Sequence, residues 1–214
     1  AQAIDRYIQQ APTARKAGLL LCLQLGLRIG EVCGLQWGDF DLERKILTIH
    51  RSVQRIVLPG GGTRLVVQSP KTQNSFRQLP LPTRLCSLLR TVRKALPDTA
   101  WVLTGSTCKP AEPRNFRRSI RGYLLRAQVP PVHPHALRHT FATLCLQAGC
   151  DIKTLSELLG HSSAAVTLQR YVHTNLNQKR LEMKRVFSVC FAPKGSSKGS
   201  SRTQAPHFSC VLSD

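Results

Sequence analysis

Six side chains in this sequence have the types and the spacing that a displacement reaction at a phosphate diester requires. In chain order they are Arg28, Lys71, His135, Arg138, His161 and Tyr171. Without a metal, such a reaction needs a nucleophile, a proton donor for the leaving oxygen and cations around the phosphoryl oxygens. Tyr can supply the first and Lys or His the second. Two Arg side chains suit the third, because a guanidinium is always charged and binds phosphate through two parallel hydrogen bonds.

Taken singly, each of these residues also fits an ordinary structural role. Arg28 can form an ion pair with Glu31, and His161 can cap a helix C-terminus, where the helix dipole favours a cation. Lys71 can be one solvated cation among 31 Lys and Arg residues. His135 and Arg138 can belong to an ordinary helix start, and Tyr171 can lie on an amphipathic helix. The order of the motifs along the chain, rather than any single residue, therefore carries the argument.

The charge balance predicts a polyanionic partner. The 214 residues contain 31 Lys and Arg against 11 Asp and Glu, which gives a formal net charge of +20. Such an excess favours nucleic acid first and an anionic membrane surface second. Binding is then expected to weaken steeply with salt, because each neutralised phosphate releases counterions. The length suffices for one sizeable core, with or without a tail.

The cysteines and the apolar segments indicate a soluble protein of the cytoplasm. None of the eight Cys residues forms a Cys-x-x-Cys pair, and no His spacing typical of a metal site accompanies them. We therefore expect free thiols, a reducing compartment and neither a metal nor another cofactor. The apolar run 17–27 is too short to span a bilayer, so no membrane association is expected.

The hydrophobic pattern predicts an α+β fold that is mainly α-helical, with a small three-stranded antiparallel sheet at its edge. Helices are expected within 1–35, and Trp37 is expected in the core. The strands are expected at 46–53, 64–68 and 76–81, with a turn at 59–62 and Lys71 in the loop between the second and third strands. A short extended piece is expected at 101–104. The later helices are expected at 82–96, 113–129, 135–148, 151–159, 163–173 and 175–187.

Several motifs in this order resemble the catalytic domain of the tyrosine recombinase (phage integrase) family. They are Gly-Leu-Arg-Ile-Gly-Glu at 26–31, Pro-Lys-Thr at 70–72, His-Ala-Leu-Arg-His-Thr at 135–140, Leu-Gly-His at 159–161, and a Tyr ten residues later. The resemblance covers roughly 19–187. It implies a catalytic domain over 1–190, a disordered polar and basic tail over 191–214, and the absence of the family's N-terminal core-binding domain from this chain. Ala136 departs from the pattern, because the family usually has Asp there.

The resemblance also implies how the phosphate is held. Arg28 and Arg138 would grip the scissile phosphate, and His161 would donate a hydrogen bond to a phosphoryl oxygen. Glu31 matches the family motif too, and we interpret it as a structural residue that buttresses Arg28. The Arg-rich segment from Pro113 is the best candidate for a surface that faces DNA.

The remaining three residues would move protons and attack phosphorus. By resemblance, Tyr171 would form a 3′-phosphotyrosine link, His135 would handle its proton, and Lys71 would protonate the leaving 5′-oxygen. The implied function is site-specific recombination of double-stranded DNA, by strand exchange in a homo-tetramer through a Holliday junction, without a small-molecule substrate. The helix expected at 175–187 resembles an element that docks on a neighbouring subunit, or it packs on its own domain.

Three other functions fit parts of the sequence. A type IB topoisomerase uses similar metal-free chemistry, although the Leu-Gly-His motif is unusual for that class. A plain helix-turn-helix DNA-binding protein would explain 151–161 and the net charge, but not Arg28, Lys71 or Tyr171. A metal-dependent nuclease would need convergent carboxylates, and only Glu31 and two nearby Asp residues, 39 and 41, cluster in sequence.

Overall fold

The computed structural model describes residues 2–69, 76–161, 163–171, 180 and 183–184. The description below concerns the compact unit Ala1–Val172. Its described helices are α1 (Gln2–Gln10), α2 (Ala14–Gln24), α3 (Ile29–Cys33), α4 (Thr83–Arg93), α5 (Pro113–Arg126), α6 (Pro134–Gln147), α7 (Ile152–Leu159) and α8 (Ala164–Tyr171). Its described strands are β1 (Phe40–Asp41), β2 (Ile46–Ile49), β3 (Ser52–Val57), β4 (Thr63–Gln68) and β5 (Arg77–Pro80). A 3-10 turn, Trp37–Asp39, precedes β1.

Helix α2 lies at the centre of the core, as its almost wholly apolar sequence predicts. Every residue from Lys16 to Leu23 is buried, because α2 packs against α1, α3, α4, α5 and α6. Trp37 is also fully buried, as predicted. Gly26 follows α2 with a φ of 64°, a left-handed conformation that glycine adopts without strain. The apolar run 17–27 is therefore helical only as far as Gln24.

The strands pair differently from the sequence prediction, although a three-stranded antiparallel sheet is present. That sheet has the order β1-β2-β5, while β3 and β4 form a separate antiparallel hairpin. The predicted strand 46–53 is thus two strands, and the chain leaves the first sheet at His50 and Arg51. The expected extended piece at 101–104 is only a single bridge between Gln36 and Trp101, followed by a turn.

The three helices α6, α7 and α8 begin and end close to their predicted positions. Asp151 caps α7 by accepting a hydrogen bond from the Thr154 amide at 2.9 Å. Gly160 ends α7 in the left-handed conformation, with φ 63° and ψ 48°. None of the described helices is long and apolar enough to cross a membrane. The predicted tail and nearly all of the helix predicted at 175–187 lie outside the described residues.

Candidate active site

Arg28 lies at the N-terminus of α3, where Glu31 holds both its backbone and its side chain. The carboxylate accepts the Arg28 amide at 2.8 Å and the guanidinium Nη1 at 2.8 Å. Glu31 thereby satisfies an unpaired amide at the start of the helix, as in a capping box. The second guanidinium nitrogen of Arg28 donates to the carbonyl of Gly160 at 2.9 Å. The suggested ion pair therefore exists, and it orients Arg28 toward the C-terminal end of α7.

Arg138 is buried in α6, with 2% of its surface exposed. Its Nη1 donates to the Gly26 carbonyl at 2.7 Å and its Nη2 to the Leu159 carbonyl at 2.6 Å. The Gly26 turn has no room for a side chain, because an added Cβ would lie 2.5 Å from the Phe141 ring and 2.9 Å from a Leu159 methyl. The glycine of the 26–31 motif therefore lets its carbonyl reach Arg138.

The two arginines meet at the end of α7. Arg138 binds the carbonyl of Leu159, Arg28 binds that of Gly160, and His161 is the next residue. The last carbonyls of a helix have no partner within the helix and carry the negative end of its dipole. These two guanidiniums satisfy them, which fixes two positive charges beside His161. Guanidinium and imidazole groups are the side chains that suit an anion such as a phosphate.

His161 is buried and tied to α8. Its exposed fraction is 7%, and its Nδ1 lies 2.7 Å from the hydroxyl oxygen of Thr167, a fully buried residue of α8. The His161 amide donates to the Ser156 carbonyl at 3.0 Å, which closes the end of α7. The contact between His161 and Thr167 thus places the helix that ends at Tyr171 next to the arginines.

His135 lies in the first turn of α6, one turn before Arg138. Residues three apart on a helix lie on the same side, so His135 belongs to the side of α6 that carries Arg138. His135 is exposed while Arg138 is buried. The N-cap His133 accepts the His135 amide on its Nδ1 at 3.3 Å, which leaves His133 a capping role.

The other two predicted residues are described only in part or not at all. Tyr171 is the last residue of α8, but its side chain lies outside the described part of the structure. Lys71 lies outside the described residues altogether. The structure thus brings Arg28 and Arg138 together at the two carbonyls that precede His161, places His135 on the same helix as Arg138, and gives the backbone position of Tyr171.

Arg77, the first residue of β5, belongs to the same cluster, and the sequence analysis missed it. Its Nη1 and Nη2 donate to the two oxygens of Glu31, each at 3.0 Å, and its Nε donates to the Leu158 carbonyl at 2.9 Å. Three consecutive carbonyls, those of Leu158, Leu159 and Gly160, therefore each accept from a different arginine. A signal was present in the sequence, because Arg77 alternates with the buried Leu79 and Leu81, and a cation on the buried face of a strand needs a partner.

The charges around Glu31 keep this carboxyl ionised. Burial by itself would raise the pKa of Glu31, but the charge and hydrogen bonds of Arg77, together with those of Arg28, outweigh it and hold the pKa below its usual value. The pKa of the neighbouring Cys22 thiol shifts upward instead. Burial, reinforced by the Glu31 charge, raises it to about 12, although the Arg138 charge opposes this. Within the described ranges, no three His, Cys, Asp or Glu side chains are grouped so that they could hold a metal ion.

A groove lined by arginines lies beside the start of α6. Exposed guanidiniums from one face of α5 form one wall, and the segment Pro131–Pro134 forms the other, around a cavity of about 510 Å³. The arginines are Arg114, Arg117, Arg118 and Arg121. Their spacing of i, i+3, i+4 and i+7 puts all four on one side of the helix. Because Pro134 begins α6, the groove borders the N-terminal end of the helix that carries His135 and Arg138.

Comparisons with known proteins identify the family of this chain. Residues 1–178 match the model of the phage integrase family. A XerC-like tyrosine recombinase of Caldanaerobacter subterraneus subsp. tengcongensis is 35% identical over 182 residues, which cover 77% of this chain and 46% of that protein. The transposase of transposon Tn916 from Enterococcus faecalis is 27% identical over 183 residues, covering 78% and 44%.

Solved structures share the fold. The Tn1549 transposon integrase, in complex with a circular intermediate DNA, superposes with a TM-score of 0.68 at 24% identity, over 86% of this chain and 63% of that one. The XerA recombinase superposes with a TM-score of 0.63 at 24% identity, over 86% and 61%.

This chain belongs to the phage integrase family, and it is a tyrosine recombinase catalytic domain in sequence and fold. The predicted family and fold class are therefore confirmed. The chain spans about half the length of the curated relatives that it matches.

Proposed function

We propose that this chain is the catalytic domain of a site-specific recombinase, which cuts and rejoins double-stranded DNA through a 3′-phosphotyrosine intermediate. The observation that carries the proposal is the docking of Arg28 and Arg138 on consecutive carbonyls beside His161. Two fixed guanidiniums and an imidazole form a cradle for a phosphoryl group whose negative charge increases in the transition state. The names of the relatives support DNA as the substrate, since the Tn1549 integrase structure is a DNA complex.

In the proposed reaction, the phenolic oxygen of Tyr171 attacks phosphorus and the bond from phosphorus to the 5′-oxygen breaks. His135 receives the phenolic proton, and Lys71 donates a proton to the departing 5′-oxygen. The new phosphotyrosine ester retains the energy of the broken bond, so a 5′-hydroxyl from a second duplex can reverse the attack. Strand exchange therefore needs no ATP and, on this mechanism, no metal or other cofactor.

The contact between His161 and Thr167 supports the role of His161. When the Thr167 hydroxyl donates to Nδ1, the imidazole carries its proton on Nε2. Nε2 is then a donor that can bind a phosphoryl oxygen. The same contact holds α8, and hence the backbone of Tyr171, beside the two arginines.

The assembly and the cellular location belong to the same proposal. Strand exchange through a Holliday junction requires four active sites, so we infer a homo-tetramer on DNA in the cytoplasm. The groove lined by Arg114, Arg117, Arg118 and Arg121 is the proposed contact with the DNA backbone next to the cleavage site. Exposed guanidiniums on one helix face suit a row of phosphates.

The decisive experiment traps the covalent intermediate. The 214-residue chain is mixed with a pool of nicked duplexes whose sequence around the nick is randomised, so that cleavage releases a short strand and blocks religation. We expect adducts that survive denaturation, in the presence of EDTA, with a recovered consensus sequence. Tyr171→Phe is expected to abolish the adduct while DNA binding changes little. An adduct formed by the Phe variant would show that Tyr171 is not the nucleophile.

The same assay separates the alternatives. A type IB topoisomerase would yield adducts without a consensus and would relax supercoiled plasmid of any sequence. A plain helix-turn-helix protein would bind DNA without forming adducts, and a metal-dependent nuclease would lose cleavage in EDTA.

The role of Lys71 is tested with a better leaving group. Lys71→Ala is expected to cleave an ordinary duplex slowly and a duplex with a bridging 5′-phosphorothiolate at nearly the wild-type rate, because the sulfur leaves without protonation. An equal defect on both substrates would exclude a general acid at this position.

The DNA-facing groove is tested by salt dependence. Arg117→Ala and Arg121→Ala are each expected to lower the slope of log K against log salt by about 1, as the loss of one phosphate contact does. Arg44→Ala, which removes an exposed guanidinium in the turn between β1 and β2, is the matched control and should leave the slope unchanged. An equal effect of all three substitutions would mean that the groove has no special role.

A further inference from the structure

We propose that Arg77 is a positioning residue of the cleavage site, which fixes Arg28 and the end of α7 relative to each other. This proposal rests on the function proposed above. It concerns a residue outside the six that the motifs assign, and it begins from a guanidinium whose side chain is only 6% exposed.

The first step is the fork formed with Glu31. The two Nη atoms of Arg77 donate to the two carboxylate oxygens, each at 3.0 Å. Such a planar, parallel pair restricts both side chains in distance and in orientation. The same carboxylate holds the amide and the guanidinium of Arg28, each at 2.8 Å. A shift of Glu31 therefore moves Arg28.

The second step is the bond from the Nε of Arg77 to the Leu158 carbonyl, at 2.9 Å. Leu158 is the residue before the two whose carbonyls bind Arg138 and Arg28. Arg77 thus connects strand β5 with α7, and the connection ends three residues before His161. The guanidinium of Arg77 therefore links the carboxylate that orients Arg28 to the end of the helix that precedes His161.

A lysine cannot replace this geometry. An ammonium group keeps the charge, but it lacks the fixed fork that reaches both oxygens of Glu31 and the Leu158 carbonyl together. Arg77→Lys is therefore expected to preserve much of the charge balance while loosening the site. Misplacement of catalytic groups by about 1 Å costs about 100-fold in rate.

The chain contains a matched control in Arg51. Its Nη2 donates to both oxygens of Asp39, at 2.6 and 2.7 Å, and its Nε donates to the Gly34 carbonyl at 3.2 Å. Like Arg77, it joins a carboxylate near a helix start to a carbonyl at a helix end. Unlike Arg77, it contacts neither Glu31 nor α7 through these bonds. Arg51→Lys therefore reproduces the chemical change away from the site.

The experiment compares Arg77→Lys and Arg51→Lys in the full chain by two readouts. The first is amide hydrogen exchange at Gly160 and His161, whose amides donate to the carbonyls of Glu157 and Ser156. The second is the single-turnover rate of adduct formation at saturating protein, measured beside the DNA dissociation constant. The substrate is a duplex recovered from the randomised pool.

For Arg77→Lys we expect exchange at Gly160 and His161 to accelerate at least about tenfold more than exchange in α2, and the cleavage rate to fall about 100-fold with DNA affinity almost unchanged. For Arg51→Lys we expect neither effect. A purely structural role would accelerate exchange throughout the core instead, and would leave the rate per folded molecule unaltered.

Each other outcome is also decisive. Uniform acceleration of exchange, or a normal cleavage rate in Arg77→Lys, overturns the proposal. If the wild-type chain forms no adduct, the proposed function fails, and the exchange measurement alone decides whether Arg77 holds the end of α7. Should Arg77→Lys not fold, Glu31→Asp replaces it, because this substitution shortens the side chain by one methylene while keeping the charges of both the carboxylate and Arg77. Its control is Asp39→Glu, which changes the length of the other carboxylate side chain by one methylene.

Discussion

Glu31 and Asp39 occupy the same local environment in two neighbouring helical turns, but only Glu31 borders the candidate active site. Each is the third residue of its turn, and each accepts the backbone amide three positions earlier at 2.8 Å. Each also binds an arginine that begins or directly precedes a strand, Arg77 for Glu31 and Arg51 for Asp39. These two turns, together with the residues that each carboxylate binds, are called the Glu31 corner and the Asp39 corner. They are built in the same way from the same kinds of residue.

The corners differ in what they contact. Directly before its turn the Glu31 corner has Arg28, whose guanidinium reaches the Gly160 carbonyl at the end of α7. The Asp39 corner has Gln36 there, whose amide group donates to the Thr99 carbonyl. A guanidinium that meets the negative end of a helix adds positive charge to an anion site. A neutral amide that meets a loop carbonyl only joins two segments. The same local arrangement thus supports chemistry or stability according to its tertiary neighbours.

The largest expected effect comes from removing the residue that distinguishes the corners. Arg28→Ala is expected to lower the single-turnover cleavage rate about 1,000-fold, because a positive charge directed at the transition state is lost. The counterpart, Gln36→Ala, is expected to leave the rate within about twofold, because this half-buried amide contacts a loop carbonyl and not the candidate site. Comparable losses in both variants, measured with the recovered duplex, would show that the corners do not differ in function.

The next effect concerns stability. Glu31→Gln leaves two guanidiniums without their shared carboxylate, one of them with a side chain only 6% exposed. We expect the free energy of unfolding to fall by about 3 kcal/mol, as the loss of one partner of a buried ion pair does. Asp39→Asn is expected to cost less, because the Arg51 side chain is 22% exposed and retains access to water. Urea denaturation of the two variants at neutral pH measures the difference, and an equal loss would contradict it.

The pH dependence of that difference follows from the pKa of Glu31. The folded-state pKa lies below the usual value of 4.5. The carboxylate therefore contributes its stability fully above the unfolded-state pKa and loses it as the pH falls through the folded-state pKa. We expect the gap in unfolding free energy between wild type and Glu31→Gln to be constant near neutrality and to shrink below pH 4.5. A gap that persists at the lowest pH at which both proteins fold would refute this assignment.

A smaller effect is expected at the contact between His161 and Thr167. Thr167→Val keeps the shape of the buried side chain but removes the hydroxyl that orients the imidazole, so we expect a loss of about tenfold in cleavage rate. Thr167→Ser retains the hydroxyl and is expected to retain most of the rate. Equal rates in the Val and Ser variants would mean that the hydroxyl does not set the orientation of His161.

The smallest effect is an absence of reaction at the thiol beside Glu31. Burial and the neighbouring charge raise the pKa of Cys22 to about 12, so almost no thiolate exists at neutral pH. We expect an alkylating reagent to modify the exposed Cys108 and to leave Cys22 unmodified until the protein unfolds, as peptide mass spectrometry would reveal. Early modification of Cys22 would indicate local opening at the Glu31 corner.

Much of the helical part of the fold could be predicted from the sequence, because its signals are local. Asp151 and Gly160 define α7, since an N-cap carboxylate and a left-handed glycine act within one turn. Helices α5, α6 and α8 likewise lie within a few residues of their predicted ranges. The apolar run 17–27 predicts a helix surrounded by others, and α2 is that helix as far as Gln24.

The strands show where local signals fail. The stretch 46–53 is predicted as one strand, yet β2 pairs with β5 and β3 with β4. The chain changes sheets at Arg51, whose guanidinium binds Asp39. Alternation shows which faces are buried, but it does not show which strand supplies the hydrogen bonds, because that choice depends on segments distant in sequence.

The same distinction applies to the active site. The motifs and their order along the chain were enough to identify the family by resemblance, and that resemblance nominates Arg28, Arg138 and His161. Only the folded chain shows that three arginines take the carbonyls of 158–160 in succession, and that Arg77 is one of them. The carbonyls at a helix end are the same in every sequence, so the side chains that satisfy them are decided by tertiary packing alone.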